Sequence, residues 1–452
     1  MTGRYKAYPE YKESGVKFVN TLPTHWTTSK VRYISAFGRG LAITKANLQD
    51  TGIPCVSYGE VHSKFGFEID PKKHTLKCVS EEYLASSPYA LLSKGDFVFA
   101  DTSEDIDGSG NFTQLVSDET LFAGYHTVIV RPASNNYYRF VAYLFDSSEF
   151  RTHVRDAVKG VKVFSVTQAI LKNADVWLPS YAEQQKIANF LDHETAKIDI
   201  LITKQEKLIE LLKEKRLATR YHAVTKGLNL NVSLIETGIS WTPSAPEHWS
   251  LVPNRSVMSM RRVLVGQNYR NYQLLSLTKK GVLVRNISSG EGKQSDHLDR
   301  TQEVRDGDLV FCLFDVEETP RTVGLSHHIG MISGDYTIFE CSNPSMARFV
   351  EYFYKAMDDR KLLKPLYRGL RKRIPKPGFL RVNIPIPPKE ELENILQFLD
   401  DLEERIEQLM YLADKQVALL KERKAALISA AVTGKIDVRH FVSKQGQTPI
   451  EQ

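Results

Sequence analysis

The chain has 452 residues, 42% of them hydrophobic and 25% charged, with a net charge of +6. That length exceeds one ordinary core and implies two or more domains of soluble, globular composition. No apolar run approaches the ~20 residues that span a bilayer, the stretch from Met1 to Gly15 lacks an apolar signal core, and four scattered cysteines (Cys55, Cys78, Cys312, Cys341) form no C-x-x-C pair. The expectation is a reduced cytoplasmic protein without membrane contact, zinc or disulfides.

Residues 1–182 read as a first mixed α/β region. It opens on Glu13-Ser14-Gly15-Val16, runs through Leu22-Pro23, and reaches His25-Trp26. Strand-like runs follow at Asp96 to Ala100 and Thr127 to Arg131, then a modest helix near Tyr138 to Asp146. The stretch Lys159-Gly160-Val161-Lys162-Val163-Phe164-Ser165 then sets two bases and a hydroxyl beside a flexible backbone. Residues 183–226 read as one long helix. Ile187, Leu191, Ile198, Leu201, Leu208 and Leu212 recur at steps near three and four, and no Pro or Gly intervenes from Ala182 to Lys226. Gly227 follows at a position suited to a left-handed cap.

Residues 227–389 begin the pattern again. Glu236-Thr237-Gly238-Ile239 leads through Ala245-Pro246 to His248-Trp249, a constant shift of 223 (249 − 26). Arg261 and Arg262 follow, then strand-like runs at Leu309 to Leu313 and Tyr336 to Glu340 and a helix near Ala347 to Met357. Lys364, Arg368, Arg371, Lys372, Arg373, Lys376 and Arg381 crowd one short stretch with little acid nearby. Residues 390–434 repeat the long helix, with Ile395, Leu399, Leu402, Ile406, Leu409 and Leu420 as its seam. The shift is now 208 (398 − 190), so the first region is longer by 15 residues. Residues 435–452 read as a tail.

Two seams of this length argue for a coiled coil in which each helix pairs with its own repeat. A helix of ~40 residues is ~60 Å long, too long for one small domain to bury. Gln205 and Gln416 fall at seam positions, where a facing polar pair would fix register. The fold class expected is α+β: two mixed domains separated by two long antiparallel helices, with an internal pseudo-two-fold repeat.

Catalytic motifs are absent or broken. Asn343-Pro344 continues as Ser345-Met346 and does not complete an amino-methyltransferase motif; Gly108-Ser109-Gly110 lies in an acidic turn. Glu291-Gly292-Lys293 has no upstream aspartate at nuclease spacing, His327-His328 cannot share a face, and no P-loop string occurs. No catalysis, metal or bound cofactor is expected. Binding chemistry remains. Gly160 and Gly369 stand 209 apart (369 − 160), so two basic glycine loops occupy equivalent places in the two repeats. Their Arg and Lys side chains suit phosphates or guanine edges in the major groove. The residues expected at DNA are Lys159, Lys162, Ser165, Arg261, Arg262, Arg368, Arg371, Lys372, Arg373 and Lys376.

The entry phrases, Leu178-Pro179 … Glu183-Gln184-Gln185-x-Ile187-Ala188-x-Phe190-Leu191-Asp192, Ala223-Val224-Thr225-x-Gly227 and Ala431-Val432-Thr433-Gly434-Lys435-Ile436-Asp437 together resemble the specificity subunit of Type I restriction–modification enzymes. The resemblance spans nearly the whole chain in the right order. It implies that two target-recognition domains each read one half of a bipartite double-stranded DNA target. It implies two modification subunits that bring S-adenosylmethionine, and restriction subunits that bring ATP and Mg. The sequence departs from the family pattern where Lys389-Glu390-Glu391-Leu392-Glu393 replaces the Glu-Gln-Gln of the first helix. A stand-alone two-domain DNA-binding regulator, dimerised through the coil, is the alternative.

Overall fold

The computed structural model describes residues 5–158, 160, 163–285, 298–316, 319, 321–369 and 372–441. Lys159, Lys162, Arg371, the Glu291 to Lys293 triplet and the last eleven residues of the expected tail lie outside them. Internal packing divides the chain into two units, Met1–Lys204 with Gln416–Gln452, and Gln205–Lys415. The division cuts through both long helices, which run from Tyr181–Lys226 and Lys389–Val432. Each helix therefore gives one part to each unit, and the helices are not blocks separate from the domains.

In the first unit a five-stranded sheet runs Ser35–Arg39, Thr127–Pro132, Phe97–Ala100, Phe112–Leu115 and Phe67–Ile69 in spatial order. In the second, Met258–Arg261, Thr337–Cys341, Leu309–Phe311 and Val323–Leu325 repeat the first four strands in the same order. Phe97 to Ala100 are all buried because both faces of the sheet are covered. Phe97 and Phe99 enter the core with the helix Tyr138–Asp146, while Val98 and Ala100 pack with Val56, Val61 and Ile129. The second unit divides its central strand identically, with Leu309 and Phe311 on one side and Val310 on the other.

Both units open on the same hairpin. Tyr11–Val16 pairs with Val19–Pro23, and Leu234–Ile239 with Thr242–Pro246. Gly15 and Gly238 both take φ 68°, a left-handed value that penalises a side chain and explains the Gly in each Ser/Thr-Gly phrase.

The long helices bury different stripes along their length. In the first unit Ile187, Leu191, Ile198 and Ile202 join a core shared with Val417, Leu427, Ile428, Ala431 and Val432. Trp177 Nε1 donates to the Val432 carbonyl at 2.6 Å, and Lys424 Nζ reaches Asp199 at 2.7 Å. One number rises as the other falls, so the paired segments are antiparallel. In the second unit Ala223 and Val224 join Leu392, Ile395, Leu396 and Leu399. Arg220 bonds Glu403 and, at 2.5 Å, Asp359. Of the expected seam, Leu212 and Ile406 are buried, and Leu402 and Leu420 are partly buried against the cores. Leu201, Leu208 and Leu409 are exposed, a correction to the expected seam; Ile202, Ala413 and Val417 are buried instead. Gln416 is also exposed. The reason is that the start of each helix buries its stripe in domain core, and only beyond that does helix pairing select the face.

Candidate nucleic-acid interface

The basic loops stand on equivalent frames. In the first unit Val166 N–H donates to the Asp101 carbonyl at 2.8 Å; in the second, Ile374 N–H donates to the Leu313 carbonyl at 2.8 Å. Val166 and Ile374 are 208 apart (374 − 166), matching the scaffold shift. Each loop is thereby tied to the chain just beyond the central strand of its sheet, Phe97–Ala100 or Leu309–Phe311.

The second loop is closed by its own arginines. Arg368 N–H donates to the Arg373 carbonyl at 2.8 Å and Arg373 N–H returns to Arg368 at 3.1 Å. Gly369 (φ 70°) and Lys372 (φ 45°) supply the left-handed bends. Arg368 and Arg373 are exposed at the loop's base. Lys376 is also exposed along its side chain, but partial desolvation of its ammonium, together with the nearby Arg262 guanidinium, lowers its pKa. Two like charges held near each other repel, and an anion placed between them would offset that repulsion. Lys372 and the two arginines share this sequence stretch with Lys376, and Arg262 lies near Lys376.

Arg261 does not join them. Its side chain is 11% exposed, with Nη1 3.0 Å from Glu303 and Nη2 bonded to Asp308. Its expected place at DNA is corrected to a buried ion-pair cluster with Glu303 and Asp308. The repeat explains why. The equivalent position in the first unit is Gly38, 223 residues earlier, where an added Cβ would lie 2.7 Å from Arg131 Nη1. Arg131 comes from the neighbouring strand and bonds Asp96 at 3.1 Å. Both units give their Gly-Asp aspartate a guanidinium, but from different strands.

The edge of the first unit has another chemistry. Exposed Ser165 pairs with Thr102 across a two-residue ladder. Beside it lies a cleft of about 450 Å³, lined by Tyr58, His62, Thr102, Ser103, Glu104 and His126 among others. His126 Nδ1 is 3.4 Å from Asp101, and His62 Nε2 is 3.7 Å from Asp105. Sequence reading missed this cleft, since its residues are scattered over four segments. The only local signal was Tyr58 and His62 at i, i+4 on one short helix.

The scaffold around the edges is fastened by two repeated polar clamps. Glu183, near the start of the first long helix, accepts Tyr8 Oη at 2.6 Å and Trp26 Nε1 at 3.1 Å, and lies 2.9 Å from His25 Nε2. Glu391 accepts Trp249 Nε1 at 3.0 Å and lies 2.7 Å from His248 Nε2. The altered helix entry of the second repeat therefore preserves the one residue the clamp needs. Further along, Asp192 binds Arg139 and Tyr143 at 2.7 Å each. Asp400 binds Arg348, and Tyr352 at 2.8 Å. Burial and the adjacent Asp192 push the Tyr143 phenol pKa up. Asn343, set aside above as a broken methyltransferase motif, caps a helix by accepting Met346 N–H at 2.8 Å. Among the described residues no cluster of three or more His, Cys, Asp or Glu is placed to hold a metal, and no helix is long and apolar enough to cross a membrane.

Duplicated units with matched frames, unlike edges and long helices that contribute to both define a two-part scaffold. Residues 23–211 match the model of the Type I restriction modification DNA specificity domain. The putative type I restriction enzyme MjaX specificity subunit of Methanocaldococcus jannaschii is 22% identical over 95% of this chain and 98% of its own length. The EcoKI specificity subunit of Escherichia coli is 25% identical over 42% of this chain and 44% of its own length. A chain from a solved structure describing complex assembly and conformational transition of the type I R-M system covers 92% of this chain and 99% of itself. It superposes with a TM-score of 0.63 at 14% identity and shares the fold. The chain is thus similar to the specificity subunits of Type I restriction–modification systems.

Proposed function

We propose that this chain is the DNA sequence-reading subunit of a Type I complex, with each unit reading one half of a bipartite target. The observation that carries the reading is the pair of loops anchored through Val166 and Ile374 at equivalent places, one beside a His- and carboxylate-lined cleft, the other rich in arginine. Equal frames with unequal edges suit an asymmetric two-part target. Arginine favours guanine O6/N7 or phosphate, whereas a carboxylate accepts from cytosine N4.

The long helices set the distance between half-sites and offer two modification subunits similar docking surfaces. The methyl donor, S-adenosylmethionine, belongs to those subunits, and ATP and Mg to the restriction subunits; this chain contributes sequence choice and no catalytic group. The complex works in the cytoplasm. Methylated adenines sequenced in cells expressing this chain with its modification partner test the reading. A single asymmetric bipartite motif is expected, and methylation that ignores sequence would overturn it. A stand-alone regulator would instead bind its site tightly as the purified chain and take no modification subunit.

A further inference from the structure

The two units differ at one place where the scaffold should be equal. Phe190 and Phe398 are repeat partners, 208 apart, but Phe190 is 1% exposed and Phe398 is 38% exposed. In the first unit the chain's own terminal segments cover the ring. Tyr5 packs on Phe190 edge-on at 5.3 Å and Phe441 at 5.1 Å. The two segments also bond each other, Asp437 N–H donating to the Lys6 carbonyl at 2.7 Å.

Among the described residues the second unit has one corresponding segment, residues 228–231. Residues 228–231 leave the first long helix as 436–439 leave the second, and they also precede a hairpin as 5–8 do. They replace Tyr5 and Tyr8 with Leu228 and Asn231. Leu228 and Leu230 are exposed, whereas their counterparts Ile436 and Val438 are buried. Among the described residues no aromatic ring packs on Phe398. Glu391 shows the same deficit. Its two bonds fall on Oε2, and among the described residues none reaches Oε1, where Glu183 receives Tyr8. Glu391 and Phe398 are seven residues apart on one helix and so share a face.

We propose that this face of the second unit is completed by an extended segment of the modification subunit, carrying a tyrosine and a second aromatic side chain beside basic residues. The inference rests on the function proposed above. The first unit supplies the pattern. Its covering segments are Tyr5-Lys6-Ala7-Tyr8 and Lys435 to Phe441, which also contain Arg439 and His440. Charge complements that pattern, since Glu390, Glu393, Asp401 and Glu404 are exposed along the same stretch of helix. The incoming tyrosine donates to Glu391 Oε1, its aromatic neighbour packs on Phe398, and backbone groups pair with residues 228–231 as residue 437 pairs with residue 6.

Native mass spectrometry and titration calorimetry with the modification subunit test this on the full chain. The wild type takes two modification subunits. Phe398→Asp and the fill-in variant Leu228→Tyr/Asn231→Tyr each bind one of the two at least tenfold more weakly, with circular dichroism and thermal unfolding unchanged. Two variants that assemble like the wild type would overturn the proposal and leave the function standing. Failure of the wild type itself to take a modification subunit would overturn both. Self-association of the chain abolished by Phe398→Asp would assign the face to a second copy and also refute the proposal.

Discussion

The two units share a skeleton and differ in how each finishes it. Their entry hairpins, central strands and glutamate clamps match in role at shifts of 223 (238 − 15), 212 (309 − 97) and 208 (391 − 183). Their loop-bearing edges do not: one carries a cleft lined by His62, His126 and Glu104, the other the exposed Arg368 and Arg373. The difference teaches that duplication fixed the parts that hold a domain to its helix, while the edges were free to take unlike chemistry. It also separates arginines that build the sheet from arginines that face outward.

The sharpest way to break that separation is to remove one of each kind. Arg261→Ala leaves Glu303 and Asp308 as adjacent carboxylates in a place where both side chains are at most 15% exposed. Breaking such a pair typically costs ~3–5 kcal/mol. Urea unfolding should show that loss, while Arg373→Ala, at an exposed position, leaves the midpoint within experimental error. Equal destabilisation by the two would erase the distinction.

The clamps come next. Glu183 is 6% exposed and holds three partners, whereas Glu391 is 25% exposed and holds two. Glu183→Ala strands the buried Trp26 and Tyr8 donors, at roughly 1–3 kcal/mol per unsatisfied group. Glu391→Ala strands fewer and wetter donors and should cost about half as much in the same unfolding assay. A reversed order would show that the two clamps are not the same device.

Much of this organisation was legible in the sequence. The long helices announced themselves because nothing interrupts them between Ala182 and Lys226 or between Lys389 and Thr433. The paired Gly-Asp strands were visible because their apolar runs are buried on both faces. The seam was less legible. Leu201 and Leu409 fit a heptad as well as Ile202 and Ala413 do, and only the changing partner along the helix decides between them. Arg261 was misread for a similar reason: its carboxylates lie 42 and 47 residues away, a separation that no local pattern reports. The histidine cleft was invisible because four chain segments converge to form it.

The basic edge should carry the next largest effect, read in binding rather than stability. If Arg373 contacts a base, Arg373→Ala relaxes one position of the methylated motif by ~1–3 kcal/mol. If it contacts phosphate, affinity falls on all sequences and the slope of log K against log salt flattens by ~0.9. Motif sequencing and salt titration distinguish these outcomes, and a variant that changes neither would remove the loop from the interface.

The smallest effect concerns the closure that the terminal segments form in the first unit. A charge-assisted hydrogen bond from the Arg439 guanidinium, with help from the Arg439 N–H, holds Asp437 below the usual carboxylate range. A carboxyl with a lower pKa folded than unfolded stabilises the folded state above its unfolded value, and that contribution disappears as pH falls through the folded value. The second unit has Asn229 at the repeat position, which does not titrate. Asp437→Asn should therefore cost ~1 kcal/mol at neutral pH, the net worth of a typical hydrogen bond, and cost progressively less towards pH 3. Thermal unfolding across that range decides the matter. A variant equally destabilised at pH 7 and pH 3 would mean that Asp437 acts through packing and leaves the titrating closure without support.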